Sequence, residues 1–290
     1  MFSSSQLDAY LERIGLAPPR RPTADALVRI HRAHIDTFPY ENLDIQLGRA
    51  IRLDETALFE KLVLGGRGGF CFEQNGLLAL ALEAMGFTVR RLCGGVGHEH
   101  RGAEAWFNHL PLLVTLREGR YIADAGLGVG FYDPLPFQQG SHRVGPFNYG
   151  LWNIDGDLWR CTIDPRVENL SFDFELDERG LDEFAAKCAE LETSPESGFV
   201  HTLSVQQPRA DHVLVLRART ATVFDPKLPE GKSTRSLDDA EEFAAFLAAE
   251  FGLSLPEGDT AALWDRACDQ HRRWQERHER GTASTEPSVQ

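Results

Sequence analysis

The spacing of apolar residues changes near residue 90, and this change constrains the fold more than any other feature of the chain. Before it, apolar residues recur at helical intervals, as in LDAYLERIG (residues 7–15), where the glycine marks a helix end. From about residue 87 to 175, short apolar runs alternate with turn residues, which is typical of strands. Helical and strand segments are thus segregated along the chain, and this predicts an α+β fold.

Capping residues and turns predict the individual elements. The expected elements are helices starting near Thr23 and Asp54, strands over residues 87–90, 110–116, 121–125 and 158–163, a linking helix over 182–192, strands within 199–225 and a helix over 238–251. The segment beyond residue 255 is expected to form a solvated amphipathic helix, and the tail TASTEPSVQ is expected to be disordered.

Composition narrows the class of protein. The chain has 290 residues, enough for about two domains, and 42 % of them are hydrophobic and 26 % charged, as in ordinary globular proteins. No basic stretch followed by an apolar run opens the sequence, and the longest apolar runs fall far short of the roughly 20 residues that span a bilayer. We therefore expect a soluble, cytoplasmic protein that does not insert into membranes.

Charge and cysteine content exclude further classes. The net charge of −14 disfavours nucleic acid as a partner, because binding to phosphates needs a basic surface, but it leaves room for a small anionic ligand in a local basic pocket. The five cysteines, at 71, 93, 161, 188 and 268, are odd in number and include no pair at CxxC spacing. This argues against a disulfide framework and against a structural zinc site. We expect no metal and no tightly bound cofactor.

The stretch RGGFCFEQNG (residues 67–76) holds the most informative cysteine. Cys71 is followed by FEQNGLLALALEAMG, which predicts a helix with one apolar stripe, so the cysteine lies at or near a helix N-terminus. The free amides there favour a thiolate, and Gly68 and Gly69 allow a tight turn and close approach of a substrate. On these residues alone, a nucleophile and a buried core cysteine remain equally plausible interpretations.

A thiolate nucleophile needs a base, and the base needs an orienting carboxylate. Of the ten histidines, His31 and His34 are interpreted as packing or surface residues of a helix, whereas His109 opens the apolar strand HLPLLVTL. Asp124 lies in the next strand, where an unpaired carboxylate is costly. A two-residue turn at Glu118-Gly119 would put His109 and Asp124 on the same face, but about 13 Å apart at ideal strand rise, so regular geometry alone does not join them.

Four segments together resemble the arylamine N-acetyltransferase family. They are FPYENLDIQLGR (38–49), RGGFCFEQN (67–75), NHLPLLV (108–114) and YIADAGLG (121–128), and the resemblance covers about residues 1–255. It implies a helical domain (1–90), a β-barrel domain with the linking helix (91–200) and an α/β lid (201–260), on a core related to cysteine proteinases. Residues 261–290 would then form a C-terminal helix and tail.

The resemblance also implies a mechanism and a set of site residues. Acetyl-CoA would be the co-substrate, Cys71 the nucleophile, His109 the base and Asp124 its orienting partner, and an arylamine, arylhydrazine or arylhydroxylamine would take the acetyl group in a ping-pong reaction. By the same resemblance, Glu41 and Arg67 would brace the cysteine loop. Phe38, Tyr40 and Leu127 would line the acceptor pocket, and Gly126 and Gly128 would let the pantetheine arm approach the backbone.

Two departures bear on the acceptor. The family often has Val-Gly-Phe after the aspartate and a small hydroxyl residue before the histidine, whereas this chain has Ala125-Gly126-Leu127 and Asn108. Three rival functions follow from the same residues. They are an amide synthase of the same fold that releases or cyclises a polyketide chain, a cysteine acyl hydrolase or transglutaminase-like enzyme, and a catalytically silent binding module. The sequence does not indicate the oligomeric state.

Overall fold

The structure, a computed structural model, describes residues 2–283, with side chains through residue 277. Helices dominate the first part of the chain. They are α1 (Ser4–Arg13), α2 (Ala24–Thr37), α3 (Leu43–Gln46), α4 (Glu55–Leu58), which a π-helical segment (Phe59–Leu64) extends, and α5 (Cys71–Ala84); a short strand, β1 (Tyr40–Glu41), lies between α2 and α3. The tail TASTEPSVQ is predicted to be disordered. Beyond Ala283 it lies outside the residues that the structure describes.

Two of the predicted helix starts are set by capping side chains. The side chains of Thr23 and Asp54 accept hydrogen bonds from the amides of Ala26 and Ala57, three residues further along. Each bond satisfies an amide that has no partner within its helix, and this fixes where α2 and α4 begin.

Helix α5 lies at the centre of the helical region and is buried on all sides. Every residue from 71 to 82 is buried, including Glu73, Gln74 and Asn75, so the polar side is as enclosed as the apolar one. The predicted apolar stripe is thus buried together with the polar side of the helix. Three buried polar side chains in a row need partners, and these partners build the site described below.

The middle of the chain forms an eight-stranded antiparallel sheet in the order β5-β4-β3-β2-β9-β8-β7-β6, which curls into a nearly closed barrel. Its strands are β2 (Thr88–Val96), β3 (Leu112–Leu116), β4 (Gly119–Ala123), β5 (Leu135–Pro136), β6 (Gly140–Val144), β7 (Phe147–Asp155), β8 (Leu158–Thr162) and β9 (Ser171–Glu178). The edge strands β5 and β6 are also neighbours in sequence. The inside is filled by apolar side chains such as Leu113, Ile122, Phe172 and Phe174.

The last part of the chain combines a sheet with helices. The helices after β2 are α6 (His98–Arg101), α7 (Ala185–Thr193), α8 (Gly198–His201), α9 (Ala240–Phe251) and α10 (Glu257–Ala283), and the strands are β10 (Ser204–Pro208), β11 (Val213–Arg217), β12 (Thr220–Phe224) and β13 (Lys232–Ser236). Leu263 and Ala267 of α10 are buried in the same core as Phe243 and Leu247 of α9, so α10 is packed on one side. None of the helices described has both the length and the apolar character needed to cross a membrane.

Strand β1 joins the first and last parts of the chain. Tyr40 pairs with Gln206 and Glu41 with Val205, so β1 is the edge strand of the five-stranded sheet β1-β10-β11-β12-β13. Tyr40 also forms a parallel bridge with Gly69, in the loop that carries Cys71. The lid sheet and the cysteine loop are thereby tied through one short strand.

The α+β prediction is confirmed, with a helical region followed by a barrel and a lid. The predicted strands over 87–90, 110–116, 121–125 and 158–163 correspond to β2, β3, β4 and β8, and the linking helix starts as a 3₁₀ turn (Leu181–Phe184) before α7. The boundaries proposed between domains stay predictions; β1, within the first proposed domain, pairs with β10 of the proposed lid.

Candidate active site

Cys71 is the first residue of α5, as the sequence predicts. The loop before it is held by two backbone hydrogen bonds, from the amide of Gly69 to the carbonyl of Pro39 (3.3 Å) and from the amide of Glu41 to the carbonyl of Gly69 (3.0 Å). The side chain of Glu73 accepts a hydrogen bond from the amide of Phe70 (3.2 Å). The position of the cysteine is thus set by its own helix and by strand β1.

The two glycines before Cys71 are required by neighbouring protein atoms. A Cβ on Gly68 would lie 2.0 Å from the carbonyl oxygen of Pro39, and one on Gly69 would lie 2.7 Å from the Cβ of Glu73. Neither glycine has a positive φ. The sequence correctly indicated a close approach at this point, but the approaching group is the protein's own chain.

The thiol of Cys71 is buried, with 3 % of the residue exposed. Burial raises the pKa of the thiol well above its usual range, and the nearby Cys188 and Asp124 raise it further. The amide of Phe72, at the helix start, acts in the opposite direction but is outweighed. The predicted stabilisation of a thiolate by the helix N-terminus is thus present in the amide of Phe72, but burial outweighs it. The thiol instead contacts the carbonyl oxygen of Asn108, 3.6 Å away.

His109 and Asp124 form a buried pair. Nε2 of His109 lies 2.7 Å from Oδ2 of Asp124, and the exposed fraction of each residue is 1 %. Because a carboxylate accepts, Nε2 carries the proton, and Nδ1 keeps a lone pair that can take a proton from another group. The imidazole ring packs edge-on against Phe172, with ring centroids 4.8 Å apart.

The hairpin register explains how these two residues meet. Leu116 pairs with Gly119, and Leu113 pairs with Ile122, so the predicted register is wrong by two residues. The correction moves Asp124 toward His109 and keeps both on one face of the sheet. Strand β3 begins only at Leu112, after Pro111, and the irregular backbone before it removes the remaining separation.

Asn75 connects the cysteine helix to the aspartate, and the sequence reasoning missed it. It lies one helical turn after Cys71 and donates hydrogen bonds through Nδ2 to Oδ1 of Asp124 (2.7 Å) and to the carbonyl of Leu110 (2.8 Å). Its Oδ1 accepts from the amide of Ala125 (2.8 Å). One amide side chain therefore holds both segments that carry the buried pair.

His31 is a second missed residue. Its Nε2 accepts a hydrogen bond from the backbone amide of Asp124 (3.1 Å), and its Nδ1 donates to the carbonyl of Tyr132 (3.0 Å). Burial lowers the pKa of His31, so the ring stays neutral and can make both bonds. The interpretation of His31 as a packing or surface residue overlooked this role, and the only signal was its place on the buried face of α2.

Gln74 fixes the other side of the site. Its side chain donates to the carbonyls of Phe38 (3.1 Å) and Pro39 (2.7 Å) and accepts from Nε2 of His34 (3.0 Å). The hydroxyl of Tyr10 donates to the remaining nitrogen of His34 (2.9 Å). Each of the three polar residues after Phe72 thus holds a different segment around Cys71.

The predicted pair of Glu41 and Arg67 belongs to a larger charged cluster. Arg67 contacts Glu41 (2.8 Å) and Asp44 (3.2 Å), and Lys61 contacts Asp44 (2.8 Å) and Glu73 (2.7 Å). The side chain of Glu41 is fully buried, and that of Arg67 is 13 % exposed. A surface ion pair is therefore excluded, and removal of one partner would leave a buried charge without compensation.

Cys71 and His109 both line a cavity of about 760 Å³ between the barrel and the lid. Tyr40, Leu127 and Phe199 give it apolar walls. Phe199, which comes from the short helix α8, has no counterpart among the sequence predictions because nothing in its local sequence marks a binding residue. Burial raises the pKa of Tyr40 well above its usual range, so its hydroxyl stays neutral.

The other predicted pocket residues lie in different environments. Phe38 is not among the residues that line this cavity; it is 2 % exposed and stacks on Tyr10, with ring centroids 6.1 Å apart. Gly126 and Gly128 do line it. A Cβ on Gly126 would lie 2.8 Å from the Cα of Cys71, so this glycine lets the two backbones approach each other.

No group of three or more His, Cys, Asp or Glu side chains within residues 2–283 is arranged to hold a metal ion. His98, which with His100 forms an HxH sequence that can bind metal, instead contacts Asp173 at 2.8 Å and packs against Trp106.

The chain is similar to known proteins over most of its length. A family model described as N-acetyltransferase matches residues 23–260. The chain belongs to the arylamine N-acetyltransferase family, as the sequence motifs predict. It is 31 % identical to the arylamine N-acetyltransferase of Escherichia coli over 275 residues (91 % of this chain and 97 % of that one). It is 42 % identical to that of Mycolicibacterium smegmatis over 266 residues (88 % and 94 %).

Two further comparisons concern Salmonella typhimurium. The match to its arylamine N-acetyltransferase / N-hydroxyarylamine O-acetyltransferase reaches 46 % identity over 125 residues, which span 43 % of this chain and 44 % of that one. The solved structure of an arylamine N-acetyltransferase from the same organism superposes with a TM-score of 0.81 at 30 % identity, covering 91 % of this chain and 99 % of that one.

A relative has been solved with CoA. The Mycobacterium marinum arylamine N-acetyltransferase in complex with CoA superposes with a TM-score of 0.80 at 28 % identity, covering 90 % of this chain and 98 % of that one.

Proposed function

We propose that this chain transfers the acetyl group of acetyl-CoA to an aromatic amine, hydrazine or hydroxylamine through an acetyl-cysteine on Cys71. The observation that carries the proposal is the 2.7 Å contact between His109 Nε2 and Asp124, which leaves Nδ1 as the basic nitrogen in the cavity that Cys71 also lines. The complex of the Mycobacterium marinum relative with CoA supports acetyl-CoA as the donor.

The first half-reaction forms the acetyl-enzyme. Because burial raises the pKa of the thiol, its proton passes to Nδ1 of His109 as the sulfur attacks the thioester carbonyl. Asp124 stabilises the imidazolium that results. Backbone amides at the start of α5 stabilise the developing oxyanion, the C–S bond to CoA breaks, and the imidazolium returns the proton to the departing CoA thiolate.

The second half-reaction releases the product. The nitrogen of the acceptor attacks the acetyl carbonyl on Cys71, and His109 takes the proton that the nitrogen loses. The C–S bond to Cys71 breaks, the amide leaves, and the sulfur regains a proton from the imidazolium. Two half-reactions on one nucleophile give ping-pong kinetics.

The side chains that line the cavity favour the binding of a flat, apolar acceptor. Tyr40 and Phe199 offer aromatic faces and Leu127 offers an apolar one, and all three lie in the cavity of the nucleophile. Leu127→Phe would add a third ring. We expect it to shift kcat/KM toward compact planar arylamines over bulky hydrazines by up to about tenfold, while acetylation of Cys71 is unchanged.

Initial rates with acetyl-CoA and a panel of acceptors test the proposal. We expect parallel lines in double-reciprocal plots and formation of amide in proportion to CoA release. Release of CoA with free acetate as the main product at saturating acceptor would instead identify an acyl hydrolase. Inactivity with acetyl-CoA but turnover of longer acyl thioesters would identify an amide synthase of the same fold.

A further inference from the structure

A second cavity, of about 440 Å³, lies between the lid sheet and helix α10. The sheet contributes side chains of β11, β12 and β13, and the helix contributes a stretch from Gln270 to Arg277. The family model ends at residue 260, so the helical wall lies beyond it. Thr202 and Arg217 line both this cavity and the one that holds Cys71, so the two cavities share a wall.

The charges of the two cavities differ. The lining of the Cys71 cavity combines two arginines and two glutamates, and its Arg217 is paired with Glu168 at 2.6 Å. The second cavity is lined by three arginines, Arg217, Arg273 and Arg277, and by two histidines, His201 and His271. Burial and the nearby Arg219 lower the pKa of His271, so the positive charge comes from the arginines. Its lining, within residues 2–283, includes no Asp or Glu. In a chain of net charge −14, this is a local site of opposite sign.

The second cavity also offers rings and hydroxyls. Trp274 is 48 % exposed at its edge and stacks on His271, with ring centroids 5.8 Å apart, and Phe224 lies in the opposite wall. Thr222 and Thr234 contribute hydroxyl groups that lie 3.2 Å from each other. An exposed tryptophan beside arginines suits a ligand that carries a flat heterocycle and phosphate groups.

We infer that this second cavity binds the adenosine 3′-phosphate 5′-diphosphate end of the acyl donor, with Arg273 and Arg277 on its phosphates and Trp274 against its base. The inference rests on the proposed function, which makes acetyl-CoA the donor. The thioester of that donor is joined to its charged end by a long uncharged arm. The two cavities adjoin at Thr202 and Arg217, and the arm of a donor bound in this way would cross that boundary to bring the thioester to Cys71.

Kinetics with two acetyl donors distinguish binding in the second cavity from the acetyl-transfer reaction at Cys71. Acetyl-CoA and acetyl-pantetheine carry the same thioester, but only the first has the nucleotide end. In Arg273→Ala/Arg277→Ala we expect KM for acetyl-CoA to rise at least tenfold with kcat retained, because charge-assisted contacts to phosphate are lost. The kinetics with acetyl-pantetheine should not change. Arg272→Ala is the matched control: it removes a charge from the same helix, but Arg272 contacts Asp269 and lies outside the cavity lining.

A binding measurement without turnover complements the kinetics. Adenosine 3′,5′-bisphosphate should quench tryptophan fluorescence in the unaltered protein, and most of the quenching should disappear in Trp274→Phe. Unchanged KM in the double variant, an equal rise in Arg272→Ala, or equal loss with both donors would each overturn the inference. If neither donor acetylates the unaltered enzyme, the proposed function itself fails, and quenching still reports on the site.

Discussion

The side-chain amide of Asn75 donates a 2.7 Å hydrogen bond to Oδ1 of Asp124, whose other oxygen holds His109. Asn75 is four residues from Cys71 in the same helix, so the helix that carries the nucleophile also positions the base through two hydrogen bonds. The relative position of thiol and imidazole is therefore set by one polar side chain in a buried helix.

Asn75→Ala should weaken this coupling. It removes two donated bonds and one accepted bond in a buried site, and we expect a loss of about 2–4 kcal/mol in the free energy of unfolding. The rate of CoA release in a single turnover should fall at least tenfold, because the imidazole is no longer held in one orientation. Urea denaturation and stopped-flow measurements check the two effects.

Asn153→Ala is the control for this variant, because Asn153 is exposed and its side-chain amide donates to the carbonyls of Gly156 and Leu158, far from the site. It should leave the single-turnover rate unchanged. An Asn75→Ala protein that is folded and acetylates at the rate of the unaltered enzyme would show that Asn75 does not position the base.

Arg67→Met should destabilise the protein by about 3–5 kcal/mol, because it leaves the fully buried Glu41 without its main partner. Glu41→Gln combined with Arg67→Met should recover part of this loss, since the uncompensated charge is gone. Arg52→Ala breaks an exposed pair with Asp54 and should leave the free energy of unfolding nearly unchanged. Urea denaturation of the unaltered protein, Glu41→Gln, Arg67→Met and the double variant gives the coupling energy. Strictly additive losses would show that Glu41 and Arg67 do not act as a pair.

The free energy of unfolding should decrease as the pH is lowered, because His34 of helix α2 is buried. Burial lowers the pKa of His34 to about 3. Between the ordinary histidine value near 6.5 and about 3, the unfolded chain binds a proton that the folded chain does not. The contribution is thus fully present above pH 6.5 and is lost as the pH falls through this window, by about 1.4 kcal/mol at pH 5.5.

His34→Gln should remove this dependence, so that the slope of unfolding free energy against pH between 6.5 and 5 decreases by close to one proton. The measurement is urea denaturation at several pH values. His100→Gln, at an exposed position, should keep the slope of the unaltered protein. An unchanged slope in His34→Gln would mean that His34 is protonated in the folded state.

Local patterns in the sequence predict the helices and strands well, because capping side chains such as Thr23 and Asp54 act within one turn. The motifs also indicate Cys71, His109 and Asp124. The roles of Asn75 and His31 could not be predicted, since their partners lie 49 and 93 residues away in the chain. Periodicity predicts that such residues share a helix face, but the partner that satisfies a buried polar group depends on tertiary packing.

The thiol of Cys71 illustrates a second limit. A helix N-terminus predicts a lowered pKa, whereas burial raises it, and the larger effect depends on how deeply the packed structure encloses the sulfur. The hairpin between β3 and β4 differs from its predicted register for a related reason. Both Arg117-Glu118 and Glu118-Gly119 can form a two-residue turn, and the register of β3 and β4 shows that the first one does.

The acetyl-cysteine on Cys71 is the central claim, and mass spectrometry of the protein incubated with acetyl-CoA without acceptor tests it most directly. We predict one added acetyl group, located on the peptide that contains Cys71, which protects that thiol from iodoacetamide and disappears when an arylamine is added. The other four cysteines remain unmodified. Transfer of acetyl to the arylamine by a folded Cys71→Ala protein, or an acetyl group on any other residue that turns over at the steady-state rate, would contradict the account.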